Sequence, residues 1–286
     1  MTRRPSCAIH GGSFETSPKP QNGEVSKASP KPQTPNNLTV SGTGTAVAIS
    51  YLRLGVAGHL PCSTGKGGAR NRADRESHAL TAAHIANLVA AERHARVIGL
   101  PFTRMITIHW QAAGVALADM VKATGRFLDM LTKAIARHGN KTAWLWTLEN
   151  GDQKGGHCHL LIHVPAGLVS SITRLQKGWL YRVTGNPYRA RVIHSKPIGG
   201  RLGLETGNPE LHAINLHVAF GYICKGAPQA VLDAFSLERK HEPGGRIIGK
   251  RCSTSQNIGA TARKQRNDDD KKGNGQTRRR RTGGTG

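Results

Sequence analysis

The residues with the most chemical content are His157 and His159 in the run HCHLLIHV at 157–164. Side chains alternate between the two faces of an extended strand, so histidines one residue apart aim at the same point and can share a cation. Cys158, Leu160 and Ile162 then take the opposite face, whose apolar character suits packing on helices. Glu149 closes the segment TAWLWTLE at 142–149, and the intervening NGDQKGG is rich in turn formers. The two segments therefore predict a hairpin that brings the carboxylate alongside the imidazoles. Two imidazoles and a carboxylate suit Mg²⁺, Mn²⁺ or a related divalent ion and leave positions open for a phosphate oxygen. A histidine pair alone is more often an exposed or hydrogen-bonded pair that binds nothing; Glu149 and the hairpin bring the two readings close to even.

The second element is Tyr222-Ile-Cys-Lys225. Residues at i and i+3 share a helix face, which sets the Lys225 ammonium near the phenol. A phenol with a reference pKa of about 10 is a weak nucleophile near neutrality, and an adjacent cation or a polarised phosphate lowers the barrier to its attack. A YxxK pair seen alone is more often a packing tyrosine and a solvated lysine. Tyr181 and Tyr188 are rival nucleophiles, but neither has a lysine three residues later. Cys158 faces the core, and His163, though on the ligand face, lies too far along the strand to share a metal. Lys154 in the hairpin turn, with Arg189 and Arg191, are candidates for contacts to a phosphate backbone.

These residues must be held by regular elements. Residues 75–98 carry Leu80, Ile85, Leu88 and Val89 at near-helical spacing and predict an amphipathic helix; His78, His84 and His94 on it read as surface or boundary residues. Residues 103–110 predict a strand, and 117–138 a helix with Met120, Phe127, Leu128, Leu131 and Ile135 inward and Gly139 at its end. After the hairpin, 168–184 predicts a helix, 188–194 a strand and the Gly- and Pro-rich 195–214 a loop. Asn215 then caps the helix LHVAFGYICK, which Gly226 and Pro228 stop. The expected fold is α+β, a central antiparallel sheet of about five strands with helices on one face.

The chain has 286 residues, 37% of them apolar, and a formal charge of +24. Such an excess of Lys and Arg attracts polyanions, and nucleic acid is the first expectation, although charge alone says nothing of chemistry. Five cysteines at 7, 62, 158, 224 and 252 form no CxxC pair, which argues against a zinc ribbon or a disulfide framework and for a reduced, cytoplasmic protein. No signal peptide and no run near the ~18 apolar residues of a membrane span is found. Residues 1–45 are poor in apolar patterning and read as disordered. A folded region over 46–238 follows, and from Arg239 to residue 286 there are 14 Lys or Arg against 4 acidic residues, a net +10 that reads as a basic flexible tail.

Taken in order, Met105-Ile-Thr-Ile-His109, His157-Cys-His159-Leu-Leu-Ile162 and Tyr222-Ile-Cys-Lys225 resemble the HUH endonucleases, specifically the rolling-circle replication initiators of plasmids and phages. The resemblance covers roughly residues 102–226. It implies a ferredoxin- or RRM-like core and a divalent metal on His157, His159 and, as third ligand, Glu149. Tyr222 would attack the nick-site phosphate and stay covalently linked to the 5′ end, with Lys225 assisting. The tyrosine follows the histidine motif, as in initiators; mobilisation relaxases of the family usually carry it first. Gly226 stands where a second tyrosine would be, which implies the single-tyrosine class. STGKGGAR lacks the spacing of a phosphate loop, so a fused helicase is not expected. The partners implied are single-stranded or supercoiled origin DNA with a host helicase and polymerase, and no membrane. A transposase or relaxase using the same site, and a non-catalytic DNA-binding protein, are the alternatives.

Overall fold

A computed structural model describes residues 75–266, 268 and 269. The segment 1–45 read as disordered, the stretch 46–74 and the RRRR run at 278–281 lie outside the described residues. Within the described part the fold is α+β, built on a five-stranded antiparallel sheet.

Its elements are β1 (Glu76–Ser77), α1 (Ala82–Val97), β2 (Arg104–Ile108), α2 (Met120–Ala136), β3 (Trp144–Gly151), β4 (Gly155–Ile162), α3 (Val169–Thr184), β5 (Ile193–Pro197), α4 (Leu204–Gly207), α5 (Pro209–Cys224), α6 (Gln229–Ala234), β6 (Ile247–Ile248) and β7 (Cys252–Thr254). The large sheet has the order β5-β2-β4-β3-β7, and β1 pairs with β6 in a separate ribbon. From β2 to β5 the connectivity is β-α-β-β-α-β, the ferredoxin-like arrangement in which β4 lies between the strands that flank α2 in sequence.

Period-two alternation divides the side chains of the sheet between two cores. Ile106, Ile108, Trp146, Leu148, Cys158, Leu160 and Ile162 pack with Phe127 and Leu131 of α2 and Trp179 of α3. Trp110, Phe127 and Trp179 meet edge to face there, with centroids 6.3 and 5.6 Å apart. Leu145 and Leu161 take the other face and pack with Ile85 and Leu88 of α1 and Leu216, Phe220 and Ile223 of α5. Helices therefore cover both faces rather than one. The Ala-rich α1, opened by a Thr81–His84 capping box, supplies the second layer together with α5.

Three local expectations change. The helix carrying Tyr222 is capped seven residues before Asn215, by Asn208, which accepts a hydrogen bond from Leu211 N at 3.0 Å, and Pro209 sits in the first turn. Asn215 instead returns its amide to the Leu211 carbonyl at 2.8 Å, mid-helix. The strand expected at 188–194 begins only at Ile193, because Arg191 takes a left-handed φ of 67° in the preceding turn. Among the described residues, the segment from Arg239 to Arg266 also takes part in the fold. β7 adds the fifth strand beside β3, and Ile247 and Ile258 are fully buried. Arg251, 2% exposed, donates to the Ser77 hydroxyl and to the Gly244 carbonyl at 3.0 and 3.2 Å. Counting charges treated Arg251 as solvated, whereas it is a buried tie between β1, β7 and the segment between them.

One buried hydrogen bond fixes α5 on the sheet: Thr147 Oγ1 of β3 donates to the Ile223 carbonyl at 2.9 Å. That carbonyl is in the last turn of α5, where intrahelical donors run out. Thr147→Val, which keeps the shape and removes the donor, is expected to lower unfolding free energy by about 1–3 kcal/mol in urea titrations, while Thr147→Ser stays near wild type.

Candidate active site

The site is assembled by strand register. In the β3–β4 hairpin Glu149 lies opposite His157 and Thr147 opposite His159, while on the other side of β4 Thr107 lies opposite His159. All five side chains thus share the face on which α5 packs. The hairpin turns through Gly155, whose φ of 62° favours glycine and where any Cβ would run into the Gln111 side chain. Gln111 accepts a hydrogen bond from Gly156 N at 2.9 Å and so locks the entry to β4.

Each histidine is oriented by its Nδ1. That of His157 lies 2.8 Å from the Gly155 carbonyl, which can only accept, so the proton is on Nδ1 and Nε2 offers its lone pair. That of His159 lies 3.1 Å from Thr107 Oγ1. The two Nε2 atoms then face Glu149 Oε2 at 3.3 and 3.5 Å. Glu149, His157 and His159 are 2%, 3% and 1% exposed. Burial works to raise the Glu149 pKa, but hydrogen bonding to the carboxylate, with the Lys225 ammonium among the donors, outweighs it and holds the carboxyl below its usual range. Burial pushes His159 down to about 4, so near neutral pH it is an uncharged ligand.

Those residues fit a divalent cation. Their ligand atoms lie within 4.8 Å of one another, the one such group among the described residues. Glu149 Oε1 and His159 Nε2 are buried with no hydrogen-bond partner there. Lone pairs converging in a dry site repel one another unless a cation lies among them, and unpaired buried acceptors are costly. Outer hydrogen bonds that fix the ring tautomers are the usual support of metal-ligating histidines.

The end of α5 closes the site. The Tyr222 ring lies 4.9 Å from that of His159, nearly edge-on. Lys225 caps the helix, only 5% exposed, and its ammonium contacts Glu149 Oε2 and, at 3.0 Å, Glu242 Oε2. Burial lowers its pKa and the two carboxylates more than restore it, so Lys225 is a full cation. Its ammonium is 5.4 Å from the Tyr222 ring centre. The lysine thus ties the third candidate ligand to the helix of the tyrosine.

The structure therefore brings together Glu149, His157, His159, Tyr222 and Lys225. Lys154 is exposed in the hairpin turn, and Arg189 and Arg191 are exposed in the turn before β5 rather than on a strand. None of these three joins the buried cluster. His163 leaves β4 and bonds the Pro101 carbonyl at 2.7 Å; Tyr181 is exposed on α3; Cys158 is pushed up to about 12 by burial and is no nucleophile. Sequence reasoning overlooked Thr107 and Thr147, which hairpin and strand register place opposite His159, and Arg239 and Glu242, which lie in a segment read as tail. No helix of the described residues is long and apolar enough to cross a membrane. Comparison with protein-family models, curated proteins and solved structures gives no match.

Metal occupancy is directly measurable. Calorimetric titration of the metal-stripped protein with Mn²⁺ is expected to show one site, lost in His159→Ala and Glu149→Ala. Mn²⁺ at about 100 times its dissociation constant stabilises by about 2.7 kcal/mol, which raises the wild-type melting temperature by roughly 5–10 °C. Absence of both the heat and the shift removes the metal assignment.

Proposed function

We propose that the chain is a metal-dependent DNA-nicking and strand-joining enzyme of the HUH type, a single-tyrosine initiator of rolling-circle replication. The observation that carries the reading is the Tyr222 ring lying 4.9 Å from His159, beside a buried Glu-His-His cluster with unpaired ligand atoms. A packing tyrosine needs no such neighbours; a nucleophile that attacks a metal-bound phosphate does.

Glu149, His157 and His159 would hold Mg²⁺ or Mn²⁺, which when bound polarises a phosphate oxygen of single-stranded DNA and offsets its charge. Tyr222 Oη attacks phosphorus as the phenol proton passes to solvent. The Oη–P bond forms, the P–O3′ bond breaks and the departing 3′ oxygen takes up a proton. No water is consumed, so the phosphotyrosine link conserves the bond energy and an incoming 3′-OH can reverse the step. Lys225 keeps Glu149 oriented and ionised. The freed 3′-OH primes synthesis, for which a host helicase and polymerase are the partners. The order of the motifs, with the tyrosine after the histidines, favours initiation over mobilisation, and the net charge of +24 favours a nucleic-acid substrate.

The test uses a randomised, labelled single-stranded DNA pool with Mn²⁺ and denaturing electrophoresis. Wild type is expected to form a covalent adduct that mass spectrometry locates on Tyr222; Tyr222→Phe forms none, and His157→Ala falls by at least about 10²-fold. An adduct that Tyr222→Phe forms equally well, or no adduct from wild type in any pool, rejects the reading in favour of a DNA-binding protein.

A further inference from the structure

After α6 the chain turns back across the C-terminal end of α5. Arg239 opens this segment, Glu242 N donates to the Lys225 carbonyl at 3.0 Å, and the Gly244 carbonyl accepts from Asn150 N at 2.8 Å. The segment therefore spans from the helix of Tyr222 to the strand of Glu149.

Arg239 lies directly against the tyrosine. Its guanidinium carbon is 5.1 Å from the centre of the Tyr222 ring. A Cβ added at Gly221 would stand 3.8 Å from the Arg239 Cβ, an ordinary van der Waals distance, so the arginine stem runs alongside α5 at this turn. Two cations flank the ring, and they differ in freedom. The Lys225 side chain is 6% exposed and held by two carboxylates, whereas that of Arg239 is 41% exposed and pairs with Glu242 at 3.1 Å. An exposed pair three residues apart is weakly held and readily exchanged. Glu242 has a second cation in Lys225, so releasing Arg239 does not leave it alone.

We propose that Arg239 is the residue that binds the phosphate at the reacting bond, leaving Glu242 to place its guanidinium fork on the non-bridging oxygens beside Tyr222. This role rests on the nicking reading above. A planar guanidinium presents two parallel N–H donors that match a phosphate, and its charge offsets what accumulates on phosphorus oxygens as Tyr222 attacks. Lys225 is buried and committed to Glu149, whereas Arg239 is the more exposed of the two cations and so the one that incoming DNA can reach.

The experiment compares full-length wild type, Arg239→Ala and Arg239→Lys at saturating single-stranded DNA and Mn²⁺, using the oligonucleotide that wild type selects from the pool. The single-turnover rate of adduct formation is expected to fall about 10²-fold in Arg239→Ala and to recover in part in Arg239→Lys, with Mn²⁺ affinity unchanged in both. Arg239→Ala at the wild-type rate, Arg239→Lys at the wild-type rate, or a rate loss that tracks loss of Mn²⁺ affinity each overturns the role while the nicking reading stands. A wild type that forms no adduct overturns both.

Discussion

Glu149 carries its charge inside the protein. At 2% exposure an isolated carboxylate would lose most of its hydration, a cost that usually makes such a group take up a proton. Here Lys225, itself buried, contacts it, and the His157 and His159 Nε2 atoms within 3.5 Å complete a donor set that a divalent cation would share. Much of the architecture serves to bring these groups to one point. The register of β3 on β4 sets the carboxylate opposite His157, the cap of α5 delivers the ammonium, and the segment after α6 contributes Glu242. Glu149, Lys225, Glu242 and Arg239 together sum to about zero charge, so a divalent cation would meet the charge of Glu149 itself rather than a net anionic cluster. Removing one partner of such a buried network leaves the others uncompensated, which is why its members are expected to act as a unit.

Compensation also explains the tyrosine's position. Because Lys225 is bonded to Glu149, the last turn of α5 cannot slide along the sheet without breaking a buried ion pair, and the Thr147–Ile223 hydrogen bond constrains it a second time. Tyr222, one turn before Lys225, inherits that placement. The phenol is thus positioned by groups that do no chemistry on it, while its own ring touches His159 and two cations. On the nicking reading, a nucleophile on a well-anchored helix end keeps its approach geometry.

Sequence alone revealed what depends on local periodicity. The alternation in HCHLLIHV assigned His157 and His159 to one face and Cys158 to the other, and turn composition brought Glu149 back beside them; both follow from strand geometry. The helical stripe Met120, Phe127, Leu128, Leu131 and Ile135 is buried as its spacing implies. What stayed hidden depends on tertiary partners. Asn215 looks as good a cap as Asn208 until Pro209 is weighed at the first helical position. The strand Cys252–Thr254 is three residues long within a basic stretch, too short for any period to show, and exists because β3 offers it an edge. Arg251 looks like one more solvated charge, since only the Ser77 hydroxyl and backbone carbonyls of other segments make its burial tolerable. Lys225 was legible as a neighbour of Tyr222, but not as the partner of Glu149, 76 residues away.

On the nicking reading, burial has a further consequence for the balance between cutting and joining. A phosphotyrosine link can be resolved either by a 3′-OH, which restores DNA, or by water, which discards the stored bond. Water is by far the more concentrated competitor, so joining requires a site that water enters poorly. The candidate ligands are 1–3% exposed, with the sheet beneath them and α5 with the segment at Glu242–Gly244 above. Arg239, its side chain 41% exposed, is the more open of the two cations beside Tyr222, and on this reading the DNA strand would lie over it while its phosphate is bound. A strand still paired to the protein would then block the path by which water reaches the link, and the 3′ end it carries would be the oxygen held closest. The same desolvation that makes Glu149 costly to bury thus biases the covalent intermediate toward rejoining.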